Sequence, residues 1–178
     1  IFSSTASVYG DGNSTGIVSE KDLLDPKNPY AESKLKAEKF LYENQNAYEY
    51  IILRYFNVAG ADKNLRSGQI SKKSTHLIKI LSEIAVGLRE IIEIYGNDYD
   101  THDGTAVRDY IHINDLADVH IEVAKYLLLT SNSEIINCGY GKGYSVLDVI
   151  NETNKICNGS INYKFTKRRK GDVGQLVS

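Results

Sequence analysis

Tyr50-Ile-Ile-Leu-Arg-Tyr-Phe56 is the stretch of sequence that decides the fold. Almost every residue in it is apolar, which is typical of a strand buried on both faces. The segment before it, from Tyr30 to about Asn46, has mostly helical spacing, and Asn28-Pro29 supplies a cap and a first-turn proline. Strands that alternate with helices in this way predict an α/β protein built around a mostly parallel sheet.

The same alternation continues on both sides of this strand. Further helices are predicted from Leu77 to Gly87, through Leu116 to Leu127, and to Cys157 from a capping box of Ser145 with Asp148. Further strands are predicted at 1–2, 91–95, 107–113, 134–138 and 160–165. Polar loops fill 3–28, 61–74 and 97–105, and no internal repeat interrupts the order.

The composition is that of an ordinary globular protein. A chain of 178 residues that is 42% apolar and 25% charged can bury one core. The net charge of −2 argues against a nucleic acid partner, and no apolar run is long enough to predict a membrane span. Cys138 and Cys157 lack metal-ligand spacing, so we expect two buried thiols in a reducing compartment, the cytoplasm.

Tyr30-Ala-Glu-Ser-Lys34 follows the hydroxyl-rich strand end Ser3-Ser4-Thr5 in the sequence. On a helix, Tyr30 and Lys34 lie one turn apart on the same face. A tyrosine has a pKa near 10, and a neighbouring ammonium lowers it by favouring the phenolate. A shift of roughly 3 units requires about 4 kcal/mol, which one cation and a positively charged cofactor ring can supply. The pair can therefore take a proton from a substrate hydroxyl.

A second pair with the same spacing, Tyr163 and Lys167, does not have this geometry. It lies in an alternating stretch that reads as a strand, where four residues span about 13 Å. Those two side chains cannot share a proton, so only Tyr30 and Lys34 remain as candidates.

Two further stretches resemble ligand-binding loops but lack the residues that such loops need. Gly139-Tyr-Gly-Lys-Gly-Tyr144 lacks the third glycine of a dinucleotide fingerprint, so we predict a turn. The stretch from Asp98 lacks both the glycine and the glutamate of a calcium loop, with Asp103 and Asp109 at those positions. No histidine has zinc-type pairing, and no metal is predicted.

Five strings occur together and in order: Phe2-Ser-Ser-Thr-Ala-Ser-Val-Tyr-Gly10, Asn28-Pro-Tyr-Ala-Glu-Ser-Lys34, Leu53-Arg-Tyr-Phe-Asn57, Asp103-Gly-Thr-Ala-Val-Arg-Asp-Tyr-Ile-His112 and Asp115-Leu-Ala-Asp118. With them the chain resembles the UDP-glucose 4-epimerases, a family of extended short-chain dehydrogenases/reductases, over essentially its whole length. The Tyr-x-x-x-Lys motif is shared by the whole superfamily, whereas the string from Asp103 to His112 is far more specific.

The resemblance implies a Rossmann-type doubly wound parallel sheet with a smaller C-terminal α/β domain for the substrate. The glycine-rich turn with which the family binds NAD has no counterpart here, so we expect an incomplete sheet that lacks its N-terminal strands. The chain would be about the C-terminal two-thirds of such a protein. Residues 1–60 would belong to the NAD-binding domain and residues 61–178 mainly to the substrate domain, with about 107–140 returning to the NAD-binding domain.

The resemblance also implies a mechanism and its residues. In the family, the tyrosine takes the proton of the sugar 4-hydroxyl while hydride moves to NAD, and the 4-keto sugar turns over before hydride returns. On this chain Tyr30 would be the base, Lys34 would lower its pKa and hold the nicotinamide ribose, and Thr5 would relay or position the proton. Phe56 would lie against the nicotinamide.

The UDP-sugar would be bound mainly by residues of the second half of the chain. Arg108 and Arg169 match the diphosphate arginines, and Asp172 matches the acid that binds the uridine ribose. The other matching residues are Asn57, His76, Leu77, Glu93, Ile94, Tyr95 and Leu176. Alternatives stay open: Arg108 could pair with Asp109, and Tyr95 could be a core aromatic. A contact by Glu93 would be made through its backbone. The full-length protein is expected to be a cytoplasmic homodimer.

Three other functions compete with this one. A nucleotide-sugar 4,6-dehydratase needs an Asp-Glu pair after the threonine, and Ala6 and Ser7 stand there instead. A 4-epimerase for another UDP-sugar, such as UDP-N-acetylglucosamine or UDP-glucuronate, remains open, because the sugar pocket is hard to read from sequence. In the family a tyrosine at the sugar gate excludes N-acetylated sugars, and the resemblance places the smaller Leu176 at that position. A non-catalytic protein that binds nucleotide sugars remains open as well.

Overall fold

The computed structural model describes residues 1–71 and 74–178. Its four helices are α1 (Pro29–Glu43), α2 (Leu77–Ala85), α3 (Ile113–Thr130) and α4 (Val146–Cys157). Its strands are β1 (Phe2–Thr5), β2 (Ile51–Tyr55), β3 (Asn57–Ala59), β4 (Ile92–Tyr95), β5 (Val107–His112), β6 (Glu134–Cys138), β7 (Gly143–Ser145), β8 (Tyr163–Thr166) and β9 (Gln175–Leu176). One turn of 3-10 helix, Ala6–Tyr9, follows β1. The predicted α/β class is confirmed.

The first sheet contains the strand that decides the fold. Its order is β1-β2-β6, and both neighbouring pairs are parallel. The side chains Ile51, Ile52 and Leu53 are buried on both faces of β2, as the apolar run predicts. The carboxyl ends of β1 and β2 lie side by side, with Thr5 opposite Tyr55 in the register.

Two further sheets contain the other strands. In the second sheet, which has four strands, β5 pairs in parallel with β3 and β9 and in antiparallel with β7. In the other, β4 pairs in parallel with β8. The sequence did not predict β3, β7 or β9, because strands of two or three residues carry too little periodicity to be recognised.

Local sequence signals fix where the helices begin. The Asn28 side chain accepts from the Ala31 amide ahead of Pro29, and Ser145 and Asp148 form the predicted capping box on α4. Helix α1 ends at Glu43, earlier than the predicted Asn46. Tyr163 lies on β8, which confirms that the second Tyr-x-x-x-Lys pair is not helical.

The glycine-rich stretch after β6 forms a turn, as predicted, and its amides bind a carboxylate of the chain itself. Asp109 on β5 is fully buried and accepts from the amides of Tyr140 at 2.9 Å and Gly141 at 2.8 Å. A Cβ on Gly139 would lie 2.5 Å from the same carboxylate. The loop resembles an anion-binding turn because it binds an internal anion.

One prediction about the cysteines is wrong. Cys138 is buried at the end of β6, where burial raises the pKa of its thiol to about 11. Cys157 is exposed, because it lies in the last turn of α4 on the side that faces away from the core. In the part of the chain that the structure describes, no helix is long and apolar enough to cross a bilayer.

Candidate active site

The end of strand β1 brings a buried hydroxyl to the edge of the first sheet. Thr5 is 8% exposed, and its Oγ1 accepts from the Ser7 amide and donates to the Ser7 hydroxyl, both at 3.2 Å. Ala6 beside it is buried, and the turn from Ala6 to Tyr9 contains no acidic side chain. In parallel α/β sheets, ligands bind outside this carboxyl edge.

Helix α1 presents the tyrosine and the lysine on one face, as the sequence predicts. Tyr30 lies in the first turn with 56% of its surface exposed, whereas Lys34 is half-buried. The Lys34 Nζ donates to the Ser3 carbonyl at 2.8 Å and lies 5.9 Å from the centre of the Tyr30 ring. The bond to Ser3 ties the helix to β1, two residues from Thr5.

Phe56 and Leu176 meet in the core behind this edge. Both are buried in one cluster with Ala6, Val8, Tyr9 and Val18. Because Phe56 directly follows β2 and Leu176 lies on β9, this cluster links the first sheet to the second. The gate position Leu176 is thus 7% exposed and in contact with other apolar side chains.

A cavity of about 690 Å³ lies beside the second sheet. It brings together three predicted substrate residues, Asn57 on β3 with His76 and Leu77 at the start of α2, and Tyr110 on β5 also lines it. Burial raises the pKa of Tyr110 to about 12, so its hydroxyl stays protonated at neutral pH. Helix α2 begins at this wall, and its N-terminal amides add a partial positive charge there.

Arg108 bonds to backbone carbonyls and not to its sequence neighbour Asp109. Its Nη1 donates to the Val107 carbonyl and its Nη2 to the Val173 carbonyl, each at 2.8 Å. Its burial lowers its pKa, which the nearby Asp172 opposes. The alternative of a pair with Asp109 is therefore wrong, because Asp109 is already saturated by the glycine-rich turn.

Arg169, Asp172 and Tyr95 form a compact group near Arg108. The Arg169 Nε donates to Asp172 at 2.7 Å, and its guanidinium lies over the Tyr95 ring, 4.6 Å from the ring centre. Tyr95 is 36% exposed, so it is not a core aromatic. In a nucleotide, the base could stack on the aromatic face, a phosphate could bind the guanidinium, and the ribose hydroxyls could donate to the carboxylate.

Of the three candidate residues on β4, only Glu93 and Tyr95 have exposed side chains. Ile94 is 2% exposed in a core with Leu81 and Ile150, so it can reach a ligand only through its backbone. Glu93 accepts from Lys164 at 2.8 Å and from the Tyr95 hydroxyl at 3.1 Å, and these bonds lower the pKa of Glu93.

Tyr99, which no sequence pattern indicated, lies near this group. Its ring stacks on Arg168 at 4.1 Å, while Arg168 also donates to Asp98 at 2.7 Å. Among the described residues, the Tyr99 hydroxyl is the buried side-chain polar atom that lacks a hydrogen-bond partner, and burial raises the pKa of Tyr99. The cation–aromatic pairing of the Lys167-Arg168-Arg169-Lys170 run with Tyr95 and Tyr99 was not visible in the sequence.

His102, Asp103 and Asp148 also come together, with their ligand atoms within 4.8 Å of one another. Both aspartates already serve the fold, since Asp103 accepts from Ser145 and Thr105 and Asp148 caps α4. The expectation that no metal is bound stays a prediction.

The parallel sheets and helices define a Rossmann-type α/β protein, with a buried hydroxyl at the carboxyl edge of the first sheet and a phenol and an ammonium on the helix that Lys34 ties to β1. The sequence profile of the NAD dependent epimerase/dehydratase family matches residues 1–139. The chain belongs to this family.

Curated relatives match over the whole chain. It is 44% identical over 180 residues to a UDP-glucose 4-epimerase of Azospirillum brasilense and 42% identical to one of Halalkalibacterium halodurans. In both comparisons 100% of this chain is covered, against 51% and 54% of the relative. The chain therefore spans about half the length of these relatives, less than the two-thirds expected.

Solved structures agree with this assignment. UDP-glucose 4-epimerase from Bifidobacterium longum, solved with NAD+ and UDP, has a TM-score of 0.91 at 36% identity, over 99% of this chain and 54% of that one. The UDP-Glc/GlcNAc 4-epimerase of Campylobacter jejuni has a TM-score of 0.75 at 43% identity, with the same coverage.

Proposed function

We propose that the protein is a UDP-hexose 4-epimerase that interconverts UDP-glucose and UDP-galactose through a 4-keto sugar. The observation that carries the proposal is the geometry at the end of β1, where Thr5, Tyr30 and Lys34 come from two elements tied by the bond from Lys34 to Ser3. The relatives that match over the whole chain are named 4-epimerases, and this supports the same activity.

Tyr30 is the base that accepts the proton of the sugar 4-hydroxyl. Its exposed ring in the first turn of α1 leaves the phenol accessible to a ligand at the sheet edge. The ammonium of Lys34 favours the phenolate, and the Thr5 hydroxyl positions the proton between sugar and phenol. The cycle is complete when the proton returns from Tyr30 to the 4-oxygen of the sugar, whose configuration at C4 is then inverted.

NAD is the proposed cofactor, and it supplies the hydride acceptor for C4 of the sugar. The donor set fits the nicotinamide end of this group, because helix α1 supplies an ammonium and a phenol, β1 ends in a buried hydroxyl, and the Lys34–Ser3 bond joins the two elements. Lys34 and Tyr30 would hold the nicotinamide ribose, with Thr5 beside it, and Phe56 would support the ring from the core.

The UDP part is assigned to the second sheet and its surroundings. Arg108 and Arg169 would bind the diphosphate, and Asp172 the ribose hydroxyls. Tyr95 offers an aromatic surface next to the backbone of Glu93 and Ile94 for the uracil. The cavity with Asn57, His76 and Leu77 would receive the sugar and the adjoining phosphate.

A 4,6-dehydratase is the less favoured member of the same family. That reaction must abstract a carbon-bound proton and protonate a leaving hydroxyl, whereas the turn after Thr5 has Ala6, which is buried, and Ser7 at the two positions concerned. Neither side chain can act as an acid or a base at neutral pH.

We extend the proposal to the arrangement of the whole protein. Residues 1–60 belong to the NAD-binding domain and 61–178 mainly to the substrate domain, with about 107–140 returning to the first. The return of the chain to the first domain is supported by β6, which pairs with β2 in the first sheet. We propose that the whole protein is a cytoplasmic homodimer, on the basis of the family resemblance alone.

The test uses the product of the whole gene, purified without added cofactor. If it is this epimerase, it carries NAD, shows absorbance at about 340 nm when UDP-galactose is added, and forms UDP-glucose. A protein that binds UDP-galactose without NAD and without turnover would instead be a nucleotide-sugar binding protein. Formation of a 4-keto-6-deoxy sugar would identify a dehydratase.

A further inference from the structure

A buried ion pair joins helix α1 to the sheet beneath it. Glu38 on α1 and Arg54 on β2 are 4% and 2% exposed. The Arg54 Nη2 donates to the Glu38 carboxylate at 2.7 Å, and its Nε donates to both carboxylate oxygens at 3.2 and 3.3 Å. The hydroxyl of Ser4 on β1 donates to the same carboxylate. The carboxylate is therefore held by two neighbouring strands.

The other side of the Arg54 guanidinium is also bound. Its Nη1 donates to the Tyr9 hydroxyl at 2.9 Å and to the Glu20 carbonyl at 3.4 Å, and Tyr9 donates in turn to Asn137 at 2.7 Å. The titratable groups around the pair are Tyr9 and Glu20, whose carboxylate accepts from the Asn137 amide. A network that satisfies so many donors fixes Arg54 in one orientation.

Helix α1 has few other buried contacts that could set its position. Its buried residues in the described structure are Ala31 and Glu38, and Leu35 is only partly buried. Alanine has little side-chain area, so it allows the helix to slide or rotate. The directional bonds of Glu38 do not allow this, because they require one height and one rotation.

Tyr30, Lys34 and Glu38 follow one another at intervals of four residues, on one face of α1. Ser4, which binds Glu38, directly precedes Thr5 and lies opposite Arg54 in the register. We propose that the Glu38–Arg54 pair is a positioning device that holds Tyr30 and Lys34 at their working distance from Thr5. This inference rests on the proposed function, and it assigns a catalytic consequence to two residues that do not contact substrate.

The proposal requires a variant that removes the directional bonds without leaving an unpaired buried charge. Glu38→Leu combined with Arg54→Met does this, since apolar replacement of both partners of a buried pair is often neutral for stability. In the whole gene product we expect a thermal midpoint within a few degrees of wild type and unchanged NAD content. Because a misplacement of about 1 Å can cost about 100-fold, we expect kcat to fall 10- to 100-fold while KM changes less than threefold.

The pH profile separates positioning from stability. If Lys34 moves relative to Tyr30, proton transfer to the phenol is altered, so the pH dependence of kcat changes. A merely structural effect would lower kcat equally at every pH. Glu43→Gln, an exposed position on the same helix, is the matched control and should leave kcat and its pH profile unchanged.

Wild-type kcat and an unshifted pH profile in the folded double variant would overturn the proposal. If the double variant does not fold, Ser4→Ala tests the proposal instead, because it removes one donor to Glu38 without leaving a charge unpaired. We expect Ser4→Ala to lower kcat three- to tenfold and to change its pH profile in the same way. No turnover by the wild-type protein would instead reject the proposed function, and the positioning role with it. Active wild type with unchanged variants would reject the positioning role alone.

Discussion

Arg169 and Tyr95 form a cation–aromatic pair, with the guanidinium carbon 4.6 Å from the ring centre, and Asp172 accepts from the same guanidinium. The pair lies at the surface, since Arg169 is exposed and Tyr95 is 36% exposed. An aromatic ring and a carboxylate together fix the orientation of this guanidinium before any ligand binds.

The first prediction concerns the affinity for UDP. Arg169→Met should weaken UDP binding about 10- to 100-fold, as expected for the loss of charge-assisted hydrogen bonds worth about 1.5–3 kcal/mol. Isothermal titration calorimetry on the whole gene product measures this. Lys170→Met, the adjacent exposed cation, is the control and should change Kd less than threefold. Equal effects of both variants would indicate unspecific electrostatic attraction.

The second prediction concerns the proposed base. Tyr30→Phe should keep the fold and the bound NAD and lower kcat by about 10²- to 10⁴-fold, the usual loss for a general base. Tyr163→Phe removes the hydroxyl of the tyrosine on β8 and should leave kcat unchanged. Wild-type turnover by purified Tyr30→Phe would rule out its role.

The third prediction concerns the substrate range. Leucine at the gate position should leave room for an acetamido group, so we expect turnover of UDP-N-acetylhexosamines as well as UDP-galactose. Leu176→Tyr should abolish only the first activity, since a pocket rejects by steric clash more strongly than it selects by one methylene. The related Campylobacter jejuni enzyme is named for both kinds of substrate.

Because Leu176 is buried against Phe56, the larger ring can also strain the core, by about 1–3 kcal/mol. The thermal midpoint must therefore be measured beside turnover, and Leu176→Met, of similar volume, should retain both activities. Wild-type protein that turns over UDP-galactose but not saturating UDP-N-acetylglucosamine would show that Leu176 is not the gate.

The fourth prediction concerns the glycine-rich turn. A Cβ at Gly139 would lie 2.5 Å from the Asp109 carboxylate and 2.9 Å from Cβ of Ser178, so Gly139→Ala should destabilise the fold by about 1–3 kcal/mol. Gly159→Ala, where the nearest atom is 3.7 Å away, should change stability little. Denaturant unfolding of both variants gives the comparison. Equal stabilities would mean that the turn can move away from Asp109.

The fifth prediction concerns thiol reactivity. Burial raises the pKa of Cys138 to about 11, so at about pH 8 its thiol is protonated as well as inaccessible. The exposed Cys157 should react with iodoacetamide in the native protein, and Cys138 only after unfolding. Peptide mapping by mass spectrometry distinguishes the two. Equal labelling of both in native protein would contradict the buried position of Cys138.

Much of the fold follows from local patterns in the sequence. The apolar run of β2, the cap at Asn28 and the capping box at Ser145 all depend on neighbouring residues, and the structure confirms them. The short strands β3, β7 and β9 depend on pairing with β5, a distant segment, and the sequence carried no local signal for them. The exposure of Cys157 likewise depends on which face of α4 packs inward.

The sequence by itself determined the α/β class, the Tyr30–Lys34 helix face and the chemistry available at the end of β1, because these depend on spacing and residue type. The tertiary structure alone decided which charges meet. The buried Arg54 guanidinium requires a partner, and only the docking of α1 supplies it as Glu38. In the same way, Asp109 binds the glycine-rich turn and leaves Arg108 to backbone carbonyls, since contacts between distant segments are set by packing and not by sequence separation.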